Sequence, residues 1–98
     1  MLETFTLATF EPHLGSVFRL ALENGGSLEL ELAEARSLGI DGWSGDREPF
    51  SLLFLSPREP LLPQRIYTLE HPQVGTFAIF LVPIQPLPDR QRYQAVFT

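Results

Sequence analysis

The stretch SVFRLALENGGSLELEL, residues 16–32, decides the fold. Phe18, Leu20 and Leu22 fall on one face of an alternating run. Leu28, Leu30 and Leu32 fall on one face of a second run, with Glu29 and Glu31 on the other. Alternation with a period of two is the mark of a strand with one buried and one wet side. Between the runs stands Asn24-Gly25-Gly26. A two-residue loop would set leucine against glutamate and mix the faces. A three-residue loop, Asn24-Gly25-Gly26, ends on a residue in the left-handed region, which Gly26 can supply. That register sets Leu22 opposite Leu28, Leu20 opposite Leu30, Phe18 opposite Leu32, and Arg19 opposite Glu31.

Upstream, Phe5-Thr6-Leu7-Ala8-Thr9-Phe10 predicts one short helix. Thr6 is its N-cap, and Phe5 and Phe10 occupy the positions of a hydrophobic staple. Pro12 disfavours a helical Glu11, and Gly15 is free to turn the chain out. Downstream, the second strand runs on to Ser37 or Leu38, and a glycine-rich loop follows over 39–46. Phe50 to Ser56 is a third strand, apolar on both faces and so expected to be covered on both sides. Pro49 and Pro57 flank it. The two Arg-Glu-Pro copies, 47–49 and 58–60, read as polar punctuation around it, since proline cannot donate to a ladder. Pro60 to Gln64 is an extended crossing segment. Arg65 to His71 and Thr76 to Ile84 are strands four and five, the fifth being the most apolar and placed centrally. Pro83, Pro86 and Pro88 open a rigid loop, and Arg92 to Phe97 is the last strand. The fold class predicted is mainly β: a small antiparallel barrel or rolled sheet of about six strands with one short N-terminal helix, forming a single domain over residues 1–98.

Composition bounds the function. The chain has 98 residues, 44% of them hydrophobic and 19% charged, the range of a globular domain with one core. Nine prolines and seven glycines cut it into short pieces. With no cysteine there is no disulfide-linked partner and no thiolate metal site. The net charge of −5, with seven scattered arginines and no lysine, argues against nucleic acid. No stretch approaches the roughly 20 apolar residues of a membrane helix, and no signal peptide is read at the start. The expected location is the cytoplasm, or a particle assembled there.

Residues with chemistry are few. His13 and His71, with Glu11 or Glu70, are the only set that could meet as a metal site, and nothing in their spacing demands it. Asp41-Gly42-Trp43-Ser44-Gly45-Asp46 spaces its carboxylates too far apart for a calcium loop. No phosphate loop or nucleophile elbow is present. No catalytic residue, metal or cofactor is therefore assigned. Trp43 is the candidate partner anchor, with Asp41, Asp46 and Arg47 beside it. The competing reading has Trp43 plugging one end of the barrel, which is favoured. Glu29, Glu31 and Glu34 read as a solvated face.

Several segments together resemble a small uncharacterised bacterial domain family. They are Thr6-Leu7 with Phe10, Pro12 to Gly15, Arg47 to Phe54, Pro60 to Gln64, Tyr67, Leu69 to Pro72, Phe80 to Ile84, and Tyr93 with Ala95 to Phe97. The resemblance covers nearly the whole chain and implies no catalytic residues. It implies an association with phage-tail-collar-like proteins, at the level of context alone. The function expected is a non-enzymatic interaction or assembly module, phage-tail-related through that resemblance, with a protein partner or self-association. The alternatives are a small-molecule-binding barrel, disfavoured because six strands leave little room among large side chains, and a metal-dependent enzyme using the two histidines.

Overall fold

The structure, a computed structural model, describes residues 5–39 and 48–97. A short helix α1 (Leu7–Phe10) runs into a 3-10 turn (Glu11–His13). Six strands follow: β1 (Val17–Ala21), β2 (Ser27–Ser37), β3 (Phe50–Pro57), β4 (Arg65–His71), β5 (Gly75–Ile84) and β6 (Arg90–Phe97). They close into an antiparallel barrel in the order β1-β2-β3-β6-β5-β4, with β4 returning to β1. Closure removes the free edges that such apolar strands would otherwise present.

The opening hairpin has the predicted faces and a different register. Phe18 pairs with Leu30 and Leu20 with Leu28, so Arg19 faces Glu29 rather than Glu31. The three-residue loop is Glu23-Asn24-Gly25. The Leu22 N–H donates to the Gly26 carbonyl at 2.9 Å, and the Gly25 N–H to the Leu22 carbonyl at 3.1 Å. The left-handed residue is Gly25, at φ +89°, and not Gly26. The Gly26 N–H is instead held by the Asn24 carboxamide oxygen at 2.8 Å. Replacing Gly25→Ala forces a side chain into that left-handed angle. A stability loss of about 1 kcal/mol is expected, read as a fall of several degrees in Tm.

In β2 the ladder shifts between Leu32 and Glu34, leaving Ala33 as an extra residue. Strict alternation from Leu28 would turn Glu34 and Arg36 inward. The bulge re-phases the strand, so Ala35 packs against the core while Glu34 and Arg36 stay in water.

Three more expectations are corrected. The outer face of β3 is only half-covered. Leu53 lies between Glu34 and Gln94, and Leu55 between Glu31 and Arg92, so long polar arms and not a second layer shield them. No strand is central in a closed barrel, and the outward Phe80 of β5 is exposed. Pro83 belongs to β5, opposite Tyr93. The β4 ladder has already ended at Arg65↔Leu81, so one edge of β5 is open there and a missing N–H does no harm.

The interior is packed with side chains. Phe18, Leu20, Leu30, Leu32, Phe50, Leu52, Phe54, Leu69, Leu81 and Tyr93 are fully buried. Each end has its own stopper. At one end α1 drops Phe10 among Phe18, Phe50, Phe77 and Phe97, with ring centroids 5.8–6.4 Å away. The staple forms as predicted, with Phe5 edge-on to Phe10 at 5.4 Å. Thr6 is the N-cap, and its N–H is taken by the Thr9 hydroxyl at 3.0 Å. Glu11 keeps helical angles (φ −53°, ψ −41°), contrary to expectation, because Pro12 is accommodated in a tighter 3-10 turn. Gly15, at φ +86°, turns the chain into β1. At the other end the β3–β4 crossing segment covers the opening. The Leu62 N–H donates to the Tyr93 hydroxyl at 2.9 Å, and the Tyr67 hydroxyl donates to the Pro63 carbonyl at 2.6 Å.

Glu48-Pro49, the described part of the first Arg-Glu-Pro copy, precedes β3, and Arg58-Glu59-Pro60 follows it, as punctuation should. The Ser37 hydroxyl donates to the Glu48 carboxylate, and Arg58 donates to the carbonyls of Leu87 and Pro88 at 3.1 and 3.0 Å.

Candidate functional site

Closure of β4 onto β1 brings together the two histidines, 58 positions apart in the chain. Their rings lie 4.6 Å apart, between centroids. His13 ends the 3-10 turn and His71 ends β4. His71 is buried, with its ring 4.4 Å from that of Phe18.

The hydrogen bonds around His71 settle its tautomer. Nδ1 receives the backbone N–H groups of Gln73 at 3.1 Å and Val74 at 3.3 Å, so this nitrogen carries a lone pair. The ring proton therefore sits on Nε2, which donates to Ser16 Oγ at 3.0 Å. Ser16 Oγ in turn donates to the His13 carbonyl at 2.7 Å. A nucleophilic serine needs the reverse, with its own proton directed at an unprotonated imidazole nitrogen. Ser16 is thus a relay in a structural chain, from β4 through Ser16 to the 3-10 turn. Burial pushes the His71 pKa below its ordinary value of 6.5, and the neighbouring His13 adds to the shift.

The two carboxylates that could have met the histidines, Glu11 and Glu70, do not join them. Glu70 points outward and pairs with Arg19 at 3.2 Å, and Glu11 is exposed. Among the described residues no three His, Asp or Glu side chains gather to hold a cation. The remaining outer carboxylates behave as a solvated face: Glu23 pairs with Arg65 at 2.7 Å, Glu31 with Arg90 at 3.4 Å and Glu34 with Arg36 at 3.0 Å. Each such exposed pair is worth about 0–1 kcal/mol. Trp43, Asp41, Asp46 and Arg47, the candidate anchor residues, lie outside the described residues.

A different surface stands out on the barrel's exterior. Ile66 of β4 and Phe80 of β5 are direct cross-strand partners, and both point outward, 66% and 47% exposed. On β6, the next strand in the barrel, Val96 is also exposed, at 55%. Thr68, Ala78 and Val82 are outward neighbours in this region, and none carries charge. Arg65 and Glu70 stand at its margins. Sequence reading missed this face because the fifth strand, as the most apolar, was placed centrally and no outer face was read for the fourth. The available signal was that Ile66, Phe80 and Val82 share a strand parity opposite to that of Tyr67, Leu69, Ile79 and Leu81.

Residues 5–97 match one family model, described as Domain of unknown function (DUF6916). No curated protein and no solved structure matches the chain.

Proposed function

Since the chain belongs to the domain family DUF6916, whose description assigns no chemistry, we propose from its geometry that it is a non-enzymatic β module that docks a protein partner through the outer face of β4 and β5. The observation that carries this reading is the exposed Ile66–Phe80 cross-strand pair, with exposed Val96 on the neighbouring strand β6 and uncharged Thr68 and Ala78 beside the pair. Apolar side chains grouped on a folded surface mark interaction sites more often than chance exposure does. An apolar centre with charged residues at the rim is the usual anatomy of a protein interface. A second copy of the chain is the first partner to test, in keeping with an assembly role of the tail-like kind that the sequence resemblance suggests. The filled interior speaks against a ligand-binding barrel.

The test is light scattering of the wild-type protein at high micromolar concentration, with and without native-host extract, beside an Ile66→Glu, Phe80→Glu double variant. Exposed positions tolerate such changes within about 0.5 kcal/mol each, so the variant stays folded. Association that is lost in the variant supports the reading. A wild-type monomer that retains no partner, or association that persists in the variant, removes it.

A further inference from the structure

The barrel does not close evenly. β3 and β6 share eight backbone-paired positions, and β4 and β5 share seven. β1 and β4 share two, Arg19↔Glu70 and Leu20↔Leu69. The rest of this seam is laced by side chains. Arg19 pairs with Glu70 and Arg65 with Glu23, both in water. Among the described residues the buried lacing is His71, which donates to Ser16 and packs on Phe18.

We propose that this seam is an acid-sensitive latch, in which protonation of His71 releases β4 from β1 and opens the barrel along one side. A second proton on the ring would have to go on Nδ1. That nitrogen is faced by two N–H donors, Gln73 and Val74, from the β4–β5 turn. A charged ring therefore has to abandon both backbone contacts, and with them the geometry that aims Nε2 at Ser16. The surroundings do not help it stay. From the 3-10 turn His13 faces it at 4.6 Å, and a charge there repels. From β1 come Phe18 and Arg19, and from just before it Ser16; from β2, Glu29, on the wet side opposite Arg19. On β4 itself, Glu70 is neutralised by Arg19. Glu11 of the 3-10 turn is exposed. Among the described residues no carboxylate makes a contact with the imidazole that would favour its charge.

The direction follows from linkage. The closed form holds His71 neutral to a lower pH than the open form, in which its pKa returns to about 6.5. Closure is fully supported above that value and weakens as pH falls through the window beneath it. One proton changes the closing equilibrium by at most about tenfold per pH unit. The inference does not depend on what docks at Ile66 and Phe80.

The experiment is amide hydrogen exchange followed by NMR on the full chain at about pH 7.5 and about pH 5.5, corrected for intrinsic exchange rates. Protection at Leu20 and Leu69 is expected to fall by up to about tenfold more than at Leu52 and Ala95 of the β3–β6 seam. His71→Gln, which cannot titrate, is expected to abolish this difference, and His13→Gln to retain it. If His71→Gln does not fold, the NMR titration of His71 in the wild type decides. A midpoint below 6.5 that coincides with the loss of seam protection supports the latch. Equal loss at both seams, a pH step that survives in His71→Gln or vanishes in His13→Gln, or a His71 midpoint at or above 6.5 overturns it.

Discussion

Phe10→Ala is expected to cost about 3–5 kcal/mol, the range for truncating a buried phenylalanine. Phe10 is fully buried and touches rings from α1's own flank, β1, β3, β5 and β6. It is the only contribution of a four-residue helix to the centre of the core. A helix that short has no independent stability, so it is held in place by what it buries. Removing the ring leaves a hole at the barrel end and also removes the reason for the helix to dock. Domains of this size carry about 5–15 kcal/mol in total, so the variant should be near its unfolding threshold at ordinary temperature. Urea denaturation measures it, with a midpoint shift at constant slope reporting stability alone. A loss under about 1 kcal/mol would mean that the phenylalanines around it close the end without Phe10. Leu7→Ala, on the half-buried side of the same helix, is the control with the smaller loss.

Tyr93→Phe is expected to cost about 1–3 kcal/mol, although it removes one oxygen atom from a side chain that otherwise fits as before. The Tyr93 hydroxyl accepts the N–H of Leu62 inside the structure, where water does not replace it. Leaving a buried donor without a partner costs its desolvation in full. The loss should be local in origin. The crossing segment 58–64 loosens first, so its amide protection should drop before that of β3 and β6. If protection over 61–64 is unchanged, Tyr93 does not anchor this end.

Both stoppers show where sequence reading succeeds and where it stops. The staple of Phe5 on Phe10 was legible because its two members are five residues apart and the turn of a helix fixes their distance. The tyrosine anchor was not, because Leu62 and Tyr93 are 31 positions apart and meet only when β3, β6 and the crossing segment are all in place. The hairpin lies between these cases. Moving its register by two residues leaves every side chain on the same face, so alternation cannot distinguish Leu22 opposite Leu28 from Leu20 opposite Leu28. The choice rests on which glycine takes the left-handed angle. The Ala33 bulge was legible in hindsight: leucines occupy even positions up to Leu32, then alanine takes odd ones, and the acid moves from odd to even at Glu34.

The candidate site was less legible still. Histidines 13 and 71 could be named as a possible pair, but their chemistry depends on which ring nitrogen receives a backbone N–H. That is a property of one turn, Gln73-Val74, in its final conformation. The exposure of Ile66 and Phe80 required knowing that none of the described residues covers β4 and β5 from outside.

From the residue order alone came the six strands, the short capped helix, the placing of β3 between its flanking prolines, and the inward faces of β1 and of β2 as far as Leu32. All of these depend on neighbours within a few positions, where covalent geometry imposes a period of two on strands and 3.6 on helices. The tertiary structure decided that β4 closes on β1 through two pairs, that His71 is wired as a neutral donor, and that an apolar row stays in water. Those outcomes come from groups tens of residues apart, brought together by burial of the core, and no local period carries information about which strand edges will meet.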